Sequence, residues 1–370
     1  MPLKNLFQPL SLGALTLPNR VVMPPLTRMR ADRDGTPGPI TAEYYAQRAS
    51  AGLIVTEATA ISFPARGYPQ MPGIHTSNQV EGWRRVVEAV HARGGRIAVQ
   101  LVHHGRWSHS LYDPDGGLPV APSALAAPGM IYTPSFTQVP FETPRALEAS
   151  ELPGIVTAFR LAARNAIDAG FDAVEIHGAN GFLLDQFLQD GSNRRTDAYG
   201  GSIANRARLL FAVVDTAAAE IGRQRLGVRL SPHGNLGGLT DTDPVGDFSS
   251  VIAQLSLRGL AYLHLIEPRA SSAGIGDDAS VDSANNAQLF RRLFKGPVIT
   301  AGGYTPVMGS EAVLAGLADA VAFGRLFVAN PDLPERLQRG ASLNAFDRST
   351  AYGGGAHGYT DYPFLLAAEA

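Results

Sequence analysis

The chain has 370 residues, no cysteine, and 31 basic against 33 acidic residues, for a net charge of −2. That length suits either several small domains or one α/β barrel, and it buries a large core without covalent staples. The lack of cysteine excludes disulfides, thiolate nucleophiles, zinc–thiolate sites and iron–sulfur clusters, while near-zero charge with scattered basic residues argues against nucleic-acid or membrane-surface binding.

At the N-terminus, Pro9, Gly13 and Pro18 interrupt the apolar residues, and no apolar run reaches signal-peptide or membrane-spanning length. The expectation is a soluble, cytoplasmic protein, monomeric or homodimeric. Residues 7–17 read as a hairpin placed to plug a barrel floor. Strand patterns rich in Val, Ile, Leu or Phe then fall at 20–24, 53–58, 96–101, 173–177, 226–231, 262–266, 297–300 and 320–323. Helical patterns lie between them at 40–50, 80–93, 148–169, 204–221, 248–258, 284–294 and 306–315, with a last helix around 331–340. This alternation predicts the α/β class and a closed parallel (β/α)₈ TIM barrel, one domain over 1–370. Ala51-Gly52, Gly94-Gly95, Ala169-Gly170 and Gly259 read as helix caps leading into strands. The Pro/Gly-rich stretch 103–147 is too long for a βα loop and reads as a lid-like excursion after the third strand.

Catalytic groups of such barrels sit at the carboxyl ends of the strands. Those ends carry Thr27 after the first strand, Ala58 in the second and Gln100, Val102 and His103-His104 at the third. The later strands contribute His177, Asn180 and Phe182, then Arg229, Gly302-Gly303 and Gly324-Arg325. Glycines after the last two strands present backbone N–H groups where barrels bind phosphate, and Arg325 adds a charge. Thr27, Gln100 and Arg229 suit a flat, polar-edged heterocycle, with Arg229 stabilising negative charge on a reduced ring. The alternative for Arg229 is a buried ion pair with Glu175. His177 and Asn180, three apart, make a donor pair for a substrate oxygen and a poor metal site. His103-His104 has no further spaced ligands, so no metal is expected. Neither a nucleophile elbow, a Walker loop, a His-Glu-x-x-His motif nor a dinucleotide fingerprint is present.

Taken together, the ordered motifs resemble the Old Yellow Enzyme family of FMN ene-reductases. They begin with Leu6-Phe7, Pro18-Asn19-Arg20-Val21, Pro25-Leu26-Thr27-Arg28, Glu43-Tyr44-Tyr45, Ala49-Ser50-Ala51-Gly52-Leu53-Ile54 and Thr56-Glu57-Ala58-Thr59. Gly170-Phe171-Asp172 and Asn193-Arg194-Arg195-Thr196-Asp197-x-Tyr199-Gly200-Gly201-Ser202 follow. The set closes with Phe323-Gly324-Arg325, Asn330-Pro331-Asp332-Leu333 and Gly358-Tyr359-Thr360-Asp361-Tyr362-Pro363.

The resemblance implies non-covalent FMN, reduced by NAD(P)H with NADPH the favoured donor, and hydride passed to an electron-poor C=C or nitro substrate. It places Thr27 near the flavin, Pro25, Leu26 and Ala58 against its ring, Gln100 and Arg229 on its pyrimidine side, and Gly302, Gly303, Gly324 and Arg325 at its phosphate. His177 and Asn180 would hold the substrate oxygen, with Tyr68, Val102, Phe182 and Tyr352 lining the pocket. Two departures stand out. Phe182 occupies the position where relatives carry a proton-donating tyrosine, which keeps open enone isomerisation or dehydrogenation and nitro reduction. Val102 replaces a bulkier aromatic and widens the expected pocket. A non-catalytic flavin-binding protein is the remaining alternative, opposed by Thr27, His177, Asn180 and Arg229.

Overall fold

The computed structural model describes residues 3–270 and 285–365. An antiparallel hairpin of β1 (Leu10–Leu12) and β2 (Leu15–Leu17) leads into β3 (Val21–Met23), α1 (Pro39–Gln47), β4 (Leu53–Ala60), α2 (Ser77–His91) and β5 (Ile97–Val102). The excursion carries β6 (Val120–Ala121), β7 (Met130–Tyr132), β8 (Gln138–Pro140) and β9 (Arg145–Ala146). Next come α3 (Leu152–Asp168), β10 (Ala173–Gly178), α4 (Leu183–Leu188), α5 (Ile203–Arg206), α6 (Arg208–Ile221), β11 (Leu226–Leu230), α7 (Pro244–Leu257) and β12 (Tyr262–Ile266). The chain ends through α8 (Asn286–Phe290), β13 (Val298–Ala301), α9 (Pro306–Leu314), β14 (Ala320–Ala322), α10 (Gly324–Ala329) and α11 (Leu333–Arg339).

Eight parallel strands close into the expected barrel, in the order β3, β4, β5, β10, β11, β12, β13, β14 and back to β3. Each predicted strand is found within two residues of its expected ends. The predicted 204–221 helix is instead divided into α5 and α6 at Ala207, where the Arg206 guanidinium turns inward to the carbonyls of Gly201 and Leu188 and to Asp247. Of the 284–294 helix, residue 284 lies outside the described residues.

Register sorts the barrel interior into layers. Leu12 and Leu17 of the hairpin pack with Val22, Leu53, Val55, Ala98, Ala173, Ala261 and Ile299 in a buried apolar cluster, so the hairpin does plug the floor. Along β4 the pairing shifts from Val55↔Ala98 to Ala58↔Gln100, an extra residue that makes a β-bulge. Strict alternation from Leu53 and Val55 would aim Glu57 into the barrel. The bulge brings Ala58 to that face, and Glu57 instead accepts hydrogen bonds outside it from the Arg28 backbone N–H (3.0 Å) and the Tyr45 hydroxyl (3.4 Å).

Arg28 and Arg30 also tie the C-terminal segment across the barrel. Arg28 donates to Tyr44 Oη (2.9 Å) and to the carbonyls of Ala351 (2.9 Å) and Gly358 (2.7 Å). The Tyr359 ring stacks on Tyr44 at 4.0 Å, with Arg30 4.5 Å from its centre. Several motif residues that carry the resemblance are therefore this strap.

Candidate active site

At the level above the plug, the lumen divides into two halves. On β5, β10, β11 and β12 the inward residues are Gln100, Glu175, His177, Arg229 and His264; register pairs Gln100 with Glu175, and Arg229 with both His177 and His264. On β13, β14 and β4 they are the small Ala301, Ala322 and Ala58, with Val22 of β3 one step lower beside Leu53. One semicircle is thus polar and the other small and apolar, a floor suited to a flat ring system with one polar edge.

The polar half is ordered by one buried carboxylate. Glu175 accepts the Gln100 side-chain N–H at 2.8 Å and the His264 Nδ1–H at 2.9 Å. Burial alone would raise its pKa, but His264, Arg229 and Gln100 together hold it below the usual carboxylate range. Arg229 makes no hydrogen bond to it, so the alternative ion pair of Arg229 with Glu175 does not form. Arg229 is buried, makes no ion pair among the described residues, and its Nε has no hydrogen-bond partner. Burial brings its pKa down to about 10, against the opposing pull of Glu175, so it remains cationic at neutral pH. One Gln100 amide N–H is used on Glu175, which leaves its second N–H to donate to a ligand and its oxygen to accept from one.

Beside this floor stands the His177–Asn180 turn. His177 is buried, and its Nδ1 has no partner. Burial, reinforced by Arg229, His104 and His264, pushes its pKa well below the ordinary value, which keeps the ring neutral. Asn180 takes the left-handed conformation (φ 57°), uncommon outside glycine, and its backbone N–H donates to Ser231 Oγ at 2.9 Å. Phe182 is buried with its ring centre 4.9 Å from that of His177 and 4.4 Å from that of His104. Tyr68 is half-buried and stands edge-on to His104 at 4.8 Å. Tyr352 lies on the strap, more exposed, at 37%. Val102 shares the lumen face of β5 with Gln100, one step nearer the mouth, and is fully covered by its neighbours.

His103 and His104 turn to separate partners: His103 Nδ1 accepts the Gly105 N–H, and His104 Nδ1–H donates to the Ala65 carbonyl. Burial lowers them to about 3 and about 4, so both are neutral.

Pro25, Leu26 and Thr27 follow β3 as half-buried residues at the rim, and Ala58 is buried. Gly302 and Gly303 follow β13 at φ 114° and 63°, values that L side chains rarely adopt. A Cβ on Gly302 would lie 2.6 Å from Ala270 Cβ, and one on Gly324 would lie 3.3 Å from Leu26. Arg325 is exposed in the first turn of α10. Arg269, absent from the sequence expectations, lies against the glycine pair: its Nε donates to the Gly302 carbonyl at 3.0 Å, and one terminal nitrogen is buried without a partner. No motif marks it. Glu175 was legible only as a rival partner for Arg229, although its place two residues before His177 puts it on the same face.

These residues fit FMN on one observation: a buried, unpaired guanidinium beside a free amide acceptor, on a floor half polar and half small. Gln100 and Arg229 could hold the pyrimidine edge, and the two glycine turns the phosphate. A barrel floor of this kind defines the class of (β/α)₈ flavin oxidoreductases.

The comparisons agree. Residues 5–344 match the NADH:flavin oxidoreductase / NADH oxidase family. The chain is 45% identical to 12-oxophytodienoate reductase 1 of Oryza sativa subsp. japonica, covering 97% of this chain and 93% of that one. Identity to 12-oxophytodienoate reductase 2 of Arabidopsis thaliana is 44%, over 97% and 96% of the two chains. Among solved structures, morphinone reductase superposes with a TM-score of 0.92 at 52% identity, covering 98% and 97% of the chains. The old yellow enzyme homologue from Zymomonas mobilis gives 0.92 at 44% identity, covering 97% and 99%. The chain belongs to the NADH:flavin oxidoreductase / NADH oxidase family, that of the Old Yellow Enzymes, and is an FMN-dependent NAD(P)H oxidoreductase.

Proposed function

We propose that this enzyme reduces activated alkenes (enones, enals, maleimides or nitroalkenes) at the mouth of a single barrel domain, capped by residues 103–147. The observation that carries the site assignment is Arg229, a buried cation that makes no hydrogen bond to the Gln100–Glu175–His264 network beside it. FMN, when bound, supplies the hydride that goes to the alkene β-carbon. Gln100, Arg229 and Thr27 hold its polar edge, Pro25, Leu26 and Ala58 pack against its ring, and Gly302, Gly303, Gly324 and Arg325 bind its phosphate. His177 and Asn180 bind the substrate's carbonyl or nitro oxygen and draw electron density from its double bond. Because His177 is neutral, it polarises by donating a hydrogen bond rather than a full charge. Tyr68, Val102, Phe182 and Tyr352 shape the space around the substrate.

The α-carbon needs a proton that the Phe182 side chain cannot give. Water, Tyr68 or Tyr352 supplies it, and a second reading, nitro reduction or enone isomerisation, is favoured by the same residue. NADPH is the proposed reductant. Morphinone reductase has been solved in complex with tetrahydroNAD, which supports NADH as a second donor.

The deciding experiment is anaerobic. The purified protein is reduced with NADPH or NADH in turn, mixed with 2-cyclohexenone, and followed by flavin absorbance. Rapid reoxidation with formation of cyclohexanone is the expected result. Reduction without reoxidation would move the assignment to nitro reduction or isomerisation. A colourless protein that added FMN cannot restore would overturn the reading.

A further inference from the structure

The turn that carries Asn180 rests on a carboxylate outside the proposed site. Asp185, on α4, is fully buried, and its Oδ2 accepts the Gly181 N–H at 2.9 Å and the Ser231 hydroxyl at 3.3 Å. Its Oδ1 accepts the Gln189 side-chain N–H at 3.1 Å. Ser231 Oγ in turn accepts the Asn180 N–H at 2.9 Å. Asn180 and Gly181 are consecutive left-handed residues, at φ 57° and 77°. A backbone so bent, with a non-glycine in it, persists where its surroundings over-determine it. Among the described residues Asp185 has no ion pair. The charge it feels is Asp241, itself 3.9 Å from Arg206 and beside Asp247, and its other partners are neutral.

We propose that Asp185 is a positioning residue for alkene reduction: through the Gly181 N–H and the Ser231 hydroxyl it sets the left-handed turn that aims Asn180 at the substrate oxygen. This inference rests on the role given above to Asn180. A carboxylate accepts these hydrogen bonds more strongly than a carboxylic acid does, so the turn is held more firmly when Asp185 is ionised. Burial raises its pKa to about 7. His177, His103 and His104 are all held neutral, and burial raises the Tyr68 hydroxyl, so none of these mouth groups titrates in that range.

The test uses FMN-loaded wild type, Asp185→Asn, Ser231→Ala and Asn180→Ala, with kcat and KM for 2-cyclohexenone measured from about pH 5.5 to 8.5. Wild-type kcat/KM is expected to rise through an inflection near neutrality. Asp185→Asn should abolish the inflection and raise KM about tenfold with a smaller change in kcat, since misplacement of a substrate ligand is costly. Ser231→Ala should raise KM and shrink the inflection; it serves alone if Asp185→Asn loses its FMN or fails to fold. Wild-type KM and pH profile in the folded variants would overturn the proposal. An unchanged KM in Asn180→Ala would overturn instead the substrate role of Asn180 on which it rests.

Discussion

Phe182 is the residue at which one side chain is expected to leave the fold untouched and alter the chemistry. Its ring fills a buried space against His104 and His177, which a tyrosine would also fill, and only the hydroxyl is lost. Phe182→Tyr is therefore expected to fold normally and to speed enone-driven reoxidation by about 10²-fold or more, the effect of adding a positioned general acid. Stopped-flow reoxidation with a solvent isotope effect checks it; an unchanged rate would show that protonation is not limiting. Asp185 gives a second residue-scale prediction, this time for stability. Its folded pKa, about 7, lies above the ordinary aspartate value, so the folded state holds a proton that the unfolded chain releases earlier. The contribution is fully present below the unfolded pKa and is lost as pH rises through about 7. Unfolding midpoints of wild type should fall relative to those of Asp185→Asn between about pH 4 and 7. Parallel curves would place the proton elsewhere.

At the scale of elements, the strap and the bulged strand place the rim of the mouth. Arg28 offers the C-terminal segment two carbonyl contacts and braces Tyr44, which itself stacks on Tyr359. Arg28→Met keeps the stem but removes these bonds and leaves the buried Gly358 carbonyl unpaired, and is expected to destabilise the fold by about 3 kcal/mol. Because Tyr352 rides on the same strap, KM for the enone should rise in parallel. Denaturant unfolding and steady-state kinetics together check this, and a KM change without a stability change would contradict it. The motifs Glu43-Tyr44-Tyr45 and Gly358-Tyr359 were legible as family marks, yet nothing in their spacing said that they meet. The bulge in β4 was likewise invisible, because alternation counts residues and cannot see an extra one.

For the molecule as a whole, the two ends of the lumen differ: one is packed and the other is the proposed site. The floor is sealed by Leu12 and Leu17 packed on residues from opposite sides of the barrel. Leu12→Ala should cost about 3 kcal/mol, the usual penalty for a cavity in a packed core. The site lies on the far side of that plug, so KM should not move. Thermal unfolding and kinetics of the one variant test both statements, and a KM effect would mean that floor and mouth are coupled.

What the sequence by itself determined is what repeats locally. Alternating strand and helix patterns, turns rich in glycine and the side chains at strand ends were enough for the barrel, its plug and the positions His177, Asn180, Gln100 and Arg229. Pairing between those positions was decided only by the tertiary structure. Gln100 meets Glu175 across 75 residues and His264 meets it across 89, while Arg229 Nε is left without a hydrogen-bond partner. The same holds for Asp185 and Ser231, 46 residues apart. Periodicity reports which face a residue takes relative to its own strand. Which donor reaches a buried carboxylate first depends on register between strands, and that is settled only when the barrel closes.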